Sequence, residues 1–114
     1  MVIAMPVTSD GQVGGGWGRA HQVAVWQTDI SGEIVSQEEF LVNWDTLHDQ
    51  DGEGKHHARI AQFLMDHHVE RVVTGHMGPG MVHMLERMKI GVVQDVTGPA
   101  REAAARYGKP ETTA

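Results

Sequence analysis

No cysteine occurs in the 114 residues. Disulfides, zinc fingers and iron–sulfur clusters held by protein thiolates are thereby excluded. A transition metal could be held only by imidazole, carboxylate, backbone or thioether groups, or by ligands that the metal brings with it. Basic residues are scarce as well. Nine Lys and Arg against 15 Asp and Glu give a formal charge of −6, which argues against a general nucleic-acid surface. No apolar run approaches the roughly 20 residues that cross a bilayer. The opening "MVIAMPVTSD" reaches Pro6 without the basic start of a signal peptide, so the cytoplasm is the expected compartment. Internal repeats and linker-like stretches are missing too. The length suits one compact domain, expected over residues 1–108, with 109–114 as a flexible tail.

Histidine, by contrast, is plentiful: eight residues, nearly as many as Lys and Arg together. Their value depends on the elements that carry them. "VIAMPV" (2–7) reads as a buried strand, followed by the glycine-rich loop "TSDGQVGGGWG" (8–18). "HQVAVWQTD" (21–29) alternates, turns at "ISGE", and returns as "IVSQEEFLV" (34–42), a hairpin. The acidic "NWDTLHDQDGEG" (43–54) predicts a mobile loop. From Lys55 to about His67 the period changes to that of a helix, with Ile60, Ala61, Phe63 and Leu64 as its apolar stripe. "ERVVTG" (70–75) predicts a strand, and Met81, Met84, Leu85 and Met88 recur at the spacing of a second helix. "IGVVQDV" (90–96) is a last strand and "GPAREAAARYG" (98–108) a third helix with Pro99 near its first turn. The order β β β α β α β α predicts an α/β fold with a mixed sheet.

Strand direction then sorts the histidines. If the carboxyl end of the first strand is the top edge, the hairpin starts there with His21, and the third strand delivers His48 to the same edge. The first helix begins there with His56 and His57, and the fourth strand ends there at His76. That is the edge where open α/β sheets bind ligands. His67 and His68 fall at the opposite edge, and His83 faces away from the methionine stripe toward solvent. The candidate metal ligands are therefore His21, His56, His57 and His76.

Two glycine segments share that edge, "GGGWG" (14–18) and "GHMGPG" (75–80). Neither has the spacing of a nucleotide-binding fingerprint. Glycine there permits close backbone approach to a ligand, and the second segment precedes a helix N-terminus that favours anions. With Arg19 beside the first, the candidate cofactor-contacting residues are Gly16, Trp17, Gly18, Arg19, Gly75, Met77, Gly78 and Gly80. Trp17 and Trp44 could wall such a site or simply pack in the core. Met81, Met84 and Met88 are better explained as core than as soft-metal ligands.

Taken in order, "IAMPVTSDG", "GWGRAHQVAVWQTD", "HHARIAQFLMDHHVERVVTGHMGPGM" and the later "L…KIGVV" resemble the dinitrogenase iron–molybdenum cofactor biosynthesis family, that is, NifX-like proteins and a C-terminal domain of some NifB proteins. The resemblance spans roughly residues 1–106. It implies a ribonuclease H-like, three-layer α/β/α fold around a mixed five-stranded sheet. It also implies non-covalent binding of an iron–molybdenum or iron–sulfur cluster, or its precursor, by a carrier that works with a cluster-synthesis or acceptor protein. The chain departs from the family where the first loop often has His-Phe-Gly: here it reads Gly16-Trp17-Gly18, and His21 and the pair His56 and His57 are the candidates to substitute for the missing histidine. Relatives also occur outside nitrogen fixation, so that context is not implied.

The expected function is a non-catalytic carrier at a histidine-lined edge, with a single Fe, Zn, Cu or Ni ion as a variant. Affinity should fall below about pH 6 as the imidazoles protonate. A ribonuclease-type nuclease would need carboxylates on the central strand, and "VIAMPV" has none; Asp10 and Asp29 lie at or beyond strand ends. The alternative is a regulatory domain binding a small anionic metabolite through the glycine loops, without metal. The hairpin's outer strand leaves both monomer and homodimer open.

Overall fold

In the computed structural model, which describes residues 1–109, the alternating apolar segments build one five-stranded sheet. At its centre lies β1 (Val2–Val7), with β2 (Gln22–Thr28) antiparallel on one side and β4 (Arg71–Val73) parallel on the other. The edges are β3 (Ile34–Leu41), antiparallel to β2, and β5 (Gly91–Val93), parallel to β4. The order is β3-β2-β1-β4-β5. Both faces of β1 are covered, which is why it reads as a continuous apolar run rather than an alternating one.

Four helices cover the two faces: α1 (Trp44–Gln50), α2 (Glu53–Asp66), α3 (Pro79–Arg87) and α4 (Ala100–Tyr107). The first three pack on one side, where Ala4 and Val23 of the sheet meet Trp44, Ile60, Leu64 and Leu85. Helix α4 covers the other, placing Ala100, Ala103 and Ala104 against Ile3, Met5, Ala24 and Trp26. The mixed sheet is what the residue pattern predicts, and the three α/β/α layers are what the resemblance implies. The methionine stripe is core: Met81 is buried, and Met84 and Met88 pack against the same cluster. At the hairpin, the Asp29 carboxylate accepts the backbone N–H groups of Ser31 (2.9 Å) and Glu33 (3.0 Å) and the Ser31 hydroxyl (2.6 Å). The Ser31 hydroxyl and the Glu33 amide hold that carboxyl below its ordinary pKa, and the turn closes with Gly32 at φ 90°.

The short strands and the acidic segment depart from the sequence reading. Strands β4 and β5 are only three residues each, shorter than expected; left-handed Lys89 (φ 61°) and Asp95 (φ 63°) bracket β5. Residues 110–114, the bulk of the expected tail, lie outside the described residues. The larger correction concerns the acidic segment 43–54, which contains a helix, α1, instead of a mobile loop. Its apolar content is only Trp44 and Leu47, spaced i and i+3, so the helical period is easy to miss among acids. Trp44 is nevertheless 2% exposed, edge-on to Trp17 (5.1 Å) and Phe63 (5.5 Å), and anchors the helix to the core.

Replacing Trp44 with Ala should therefore cost about 3–5 kcal/mol in urea unfolding. A loss below about 1 kcal/mol, the usual scale for an exposed loop residue, would restore the mobile-loop reading.

Candidate functional site

The site begins with backbone. Beyond the end of β1 the chain doubles back, and Gly14 N–H donates to Pro6 O at 2.7 Å. The loop then runs beside the segment after β4: Gly75 N–H donates to Gly14 O (3.1 Å), His76 N–H to Gly15 O (2.9 Å) and Trp17 N–H to His76 O (3.0 Å). Gly16 and His76 form a parallel bridge, so sheet-like pairing continues past the strands and zips the two glycine segments together. The approach requires glycine at two points. A Cβ on Gly75 would lie 2.9 Å from Gly15 O, and one on Gly14 would lie 2.9 Å from Pro6 Cβ.

A cavity of about 560 Å³ opens beside this zipper, between the first glycine loop and the N-terminal turns of α2 and α3. His48 of α1, His57 of α2 and exposed His76 line it, with Arg19 and Glu53 at its edge. His57 Nε2 stands 3.7 Å from Glu53 Oε1, one turn earlier on the same helix. The floor is apolar, from Trp17 and Met81. Gly78 caps α3 and Pro79 occupies its first turn, so the Gly80 and Met81 amides have no partner within the helix, whereas Val82 N–H already donates to Gly78 O at 3.0 Å. The cavity therefore offers imidazoles, a guanidinium and helix-end amides above an apolar base.

His56 lines the same cavity but is committed elsewhere. It is 2% exposed, and its Nε2–H donates to Gly18 O at 2.6 Å. Its Nδ1 accepts from the Arg59 guanidinium at 3.1 Å, and Arg59 in turn is ion-paired with Asp51 just past α1. Arg59 can only donate, so it fixes the tautomer: a neutral ring with its proton on Nε2. The ring stands edge-on to His48 at 5.1 Å. Both nitrogens are used inside the protein, which corrects the expectation of His56 as a metal ligand. It holds the glycine loop and α2 together.

Other candidates are also moved. His21 is exposed, pairs through Nδ1 with Asp45 Oδ2 at 3.2 Å, and lies outside the cavity. Met77 is buried in the core beneath α2 and α3. Gly75 serves the zipper rather than the cavity wall. Trp17 and Trp44 are core residues; Trp17 alone reaches the cavity. Gly16, Gly18, Arg19, Gly78, Gly80, His57 and His76 do line it. His48, which strand direction brings to this edge but which is not among the candidate ligands, lines the cavity from a helix in place of the expected loop, and Glu53, not a candidate either, has a findable signal in its i,i+4 spacing to His57. At the far edge His67 packs on Phe40 and Phe63, and His83 is exposed, as their positions suggest.

Burial holds the His56 ring below its ordinary pKa of about 6.5, the adjacent His48 adding to the effect. The neutral form belongs to the fold, and the unfolded chain takes up the proton first. Stability from this site is thus full above about pH 6.5 and declines as pH falls below it. Denaturant midpoints measured from pH 7.5 downward should drop more steeply for the wild-type chain than for His56→Gln. Parallel curves would remove His56 from the acid sensitivity.

This fold is shared by solved structures. PH0822 superposes with a TM-score of 0.75 over 96% of this chain and 91% of its own, at 20% identity. The apo form of the orange protein (ORP) from Desulfovibrio gigas superposes with a TM-score of 0.69 over 97% and 92%, at 25% identity. No curated protein matches the sequence significantly. Residues 1–109, all of the described chain, match the family of the dinitrogenase iron-molybdenum cofactor. The chain belongs to that family.

Proposed function

We propose that the protein is a non-catalytic carrier that holds an iron–molybdenum or iron–sulfur cluster, or its precursor, non-covalently in the cavity beside the zipper. One observation carries the reading. His48, His57 and His76 reach one cavity of about 560 Å³ from three separate elements, yet among the described residues no three His, Asp or Glu groups converge as a single-ion site. One ion needs its ligands within about 2–2.6 Å of a common point. A cluster is many atoms wide, supplies its own sulfide, and can be touched at separate corners by groups too far apart to share one ion. The donor set suits it: neutral imidazoles for exposed metal corners, Arg19 and the α3 amides for a net-negative cargo. A resident mononuclear zinc or nickel fits less well. The family membership and the likeness to a protein that has an apo form agree with this reading.

Among the histidines, His76 is the chief contact, with His57 second. His76 is exposed, no ring bond engages it among the described residues, and its backbone is fixed by the zipper. Carriage fits the chemistry better than catalysis, since the central strand offers no carboxylate and Asp29, at the end of β2, is committed to its turn. Delivery would pass to a cluster-synthesis or acceptor protein in the cytoplasm.

Anaerobic titration of untagged protein with iron–molybdenum cofactor and, separately, with an iron–sulfur cluster should show saturable uptake by absorbance. Metal content by mass spectrometry gives the stoichiometry. His57→Ala/His76→Ala should lower affinity about tenfold or more, on the scale of losing a ligand or its support, while His67→Ala/His68→Ala should match wild type. Equal uptake by all three would remove the histidines from the site and leave a small anionic metabolite as the better occupant.

A further inference from the structure

The glycine loop has two sides, and only one faces the cargo cavity. On the other side lies a second cavity of about 460 Å³, formed where β1 ends and β2 begins. The two share only Gly16 and Arg19, so the loop is a partition one backbone thick. The zipper fixes that partition from the α3 side and the Gly14–Pro6 bond fixes it from below. We propose that this second cavity binds a small oxyanion, a phosphate or a carboxylate.

The lining carries the argument. Arg19 and His21 line it together with Thr8, Ser9 and Gln22, whereas no Asp or Glu of the described residues does. Two carboxylates stand behind that lining, Asp45 on His21 and Asp10 on Thr8, so Arg19 is the cation that the cavity itself presents. Arg19 stays charged at any working pH and presents a fork of donors suited to a planar or tetrahedral oxyanion. His21 uses Nδ1 for Asp45, and its Nε2 has no protein partner among the described residues. Ser9 adds a hydroxyl with no side-chain partner among the described residues, while Thr8 is engaged with Asp10 and the backbone of Gln12. The site thus combines one permanent cation, one imidazole edge and one hydroxyl beside a glycine backbone that an anion can approach closely. Arg19 is the charged residue common to the two cavities. The anion site itself stands without the carrier reading.

The test uses the full chain, ¹⁵N-labelled and without added cluster, titrated at constant ionic strength with sodium phosphate and, separately, sodium succinate, with sodium chloride as the reference. Saturable amide shifts confined to residues 8–9 and 14–22 are expected for at least one of the two oxyanions. Arg19→Gln should weaken that binding about tenfold or more, the scale of a lost charge-assisted bond. His21→Leu should weaken it severalfold and leave cluster uptake unchanged, because His21 does not line the cargo cavity. Saturation by phosphate alone identifies an inorganic or phosphorylated ligand, and by succinate alone a carboxylate metabolite. Equal shifts with chloride, shifts centred on residues 76–81, or no saturation in wild type would each overturn the proposal, whatever the cluster titrations give.

Discussion

Everything at the ligand edge depends on the backbone zipper between residues 14–17 and 75–76. Parallel strands β1 and β4 end where α/β sheets usually splay apart to make a crevice. Here the chain instead continues pairing for a few residues beyond them, and each bond contributes about 0.5–1.5 kcal/mol net. That small extension decides where the first glycine loop stands. It sets the position of His76, whose own N–H and C=O are both used in it, and frees the ring for the cavity. It also turns Trp17 down into the core, where Trp44 seats α1.

A second tie locks the same loop from the opposite side. Gly18 O receives His56, His56 receives Arg59, and Arg59 is bound to Asp51 at the end of α1. The loop, α2 and α1 are thereby held by one chain of partly buried polar contacts, and such chains are strong only when every member is satisfied. Of the adjacent pair His56 and His57, one is thus part of the frame and the other part of the cavity. Adjacent helical positions point about 100° apart, so this division of labour follows from helix geometry once α2 is seated on the sheet.

Fold and site were unequally legible in the sequence. The chain order of the strands and the edge that gathers the histidines followed from hydrophobic period and strand direction, because β1, β2 and α2 bury whole faces and so carry strong patterns. Helix α1 escaped because a single tryptophan supplies most of its anchoring, and periodicity needs repetition to be visible. Which histidines face the cavity was the hardest part. Residue type and edge bring five of them to one rim, but His56 is distinguished from His57 only by the positions of Gly18 O and Arg59, and His21 is drawn off by Asp45. Those are tertiary facts, decided by side chains distant in sequence. The glycines were legible as a group and not individually: Gly14 and Gly75 are required by contact distance, while a Cβ on Gly16, Gly18 or Gly78 would meet nothing within 4 Å.

That last contrast separates two kinds of freedom in the partition. Its position is written in main-chain bonds and two contact glycines, and is therefore nearly indifferent to which side chains it carries. At Gly16 and Gly18 the space is open, so a donor, a ring or a charge could be installed without moving the wall. A scaffold of this kind can change its cargo by point substitution while keeping its shape, as a socket accepts different pins.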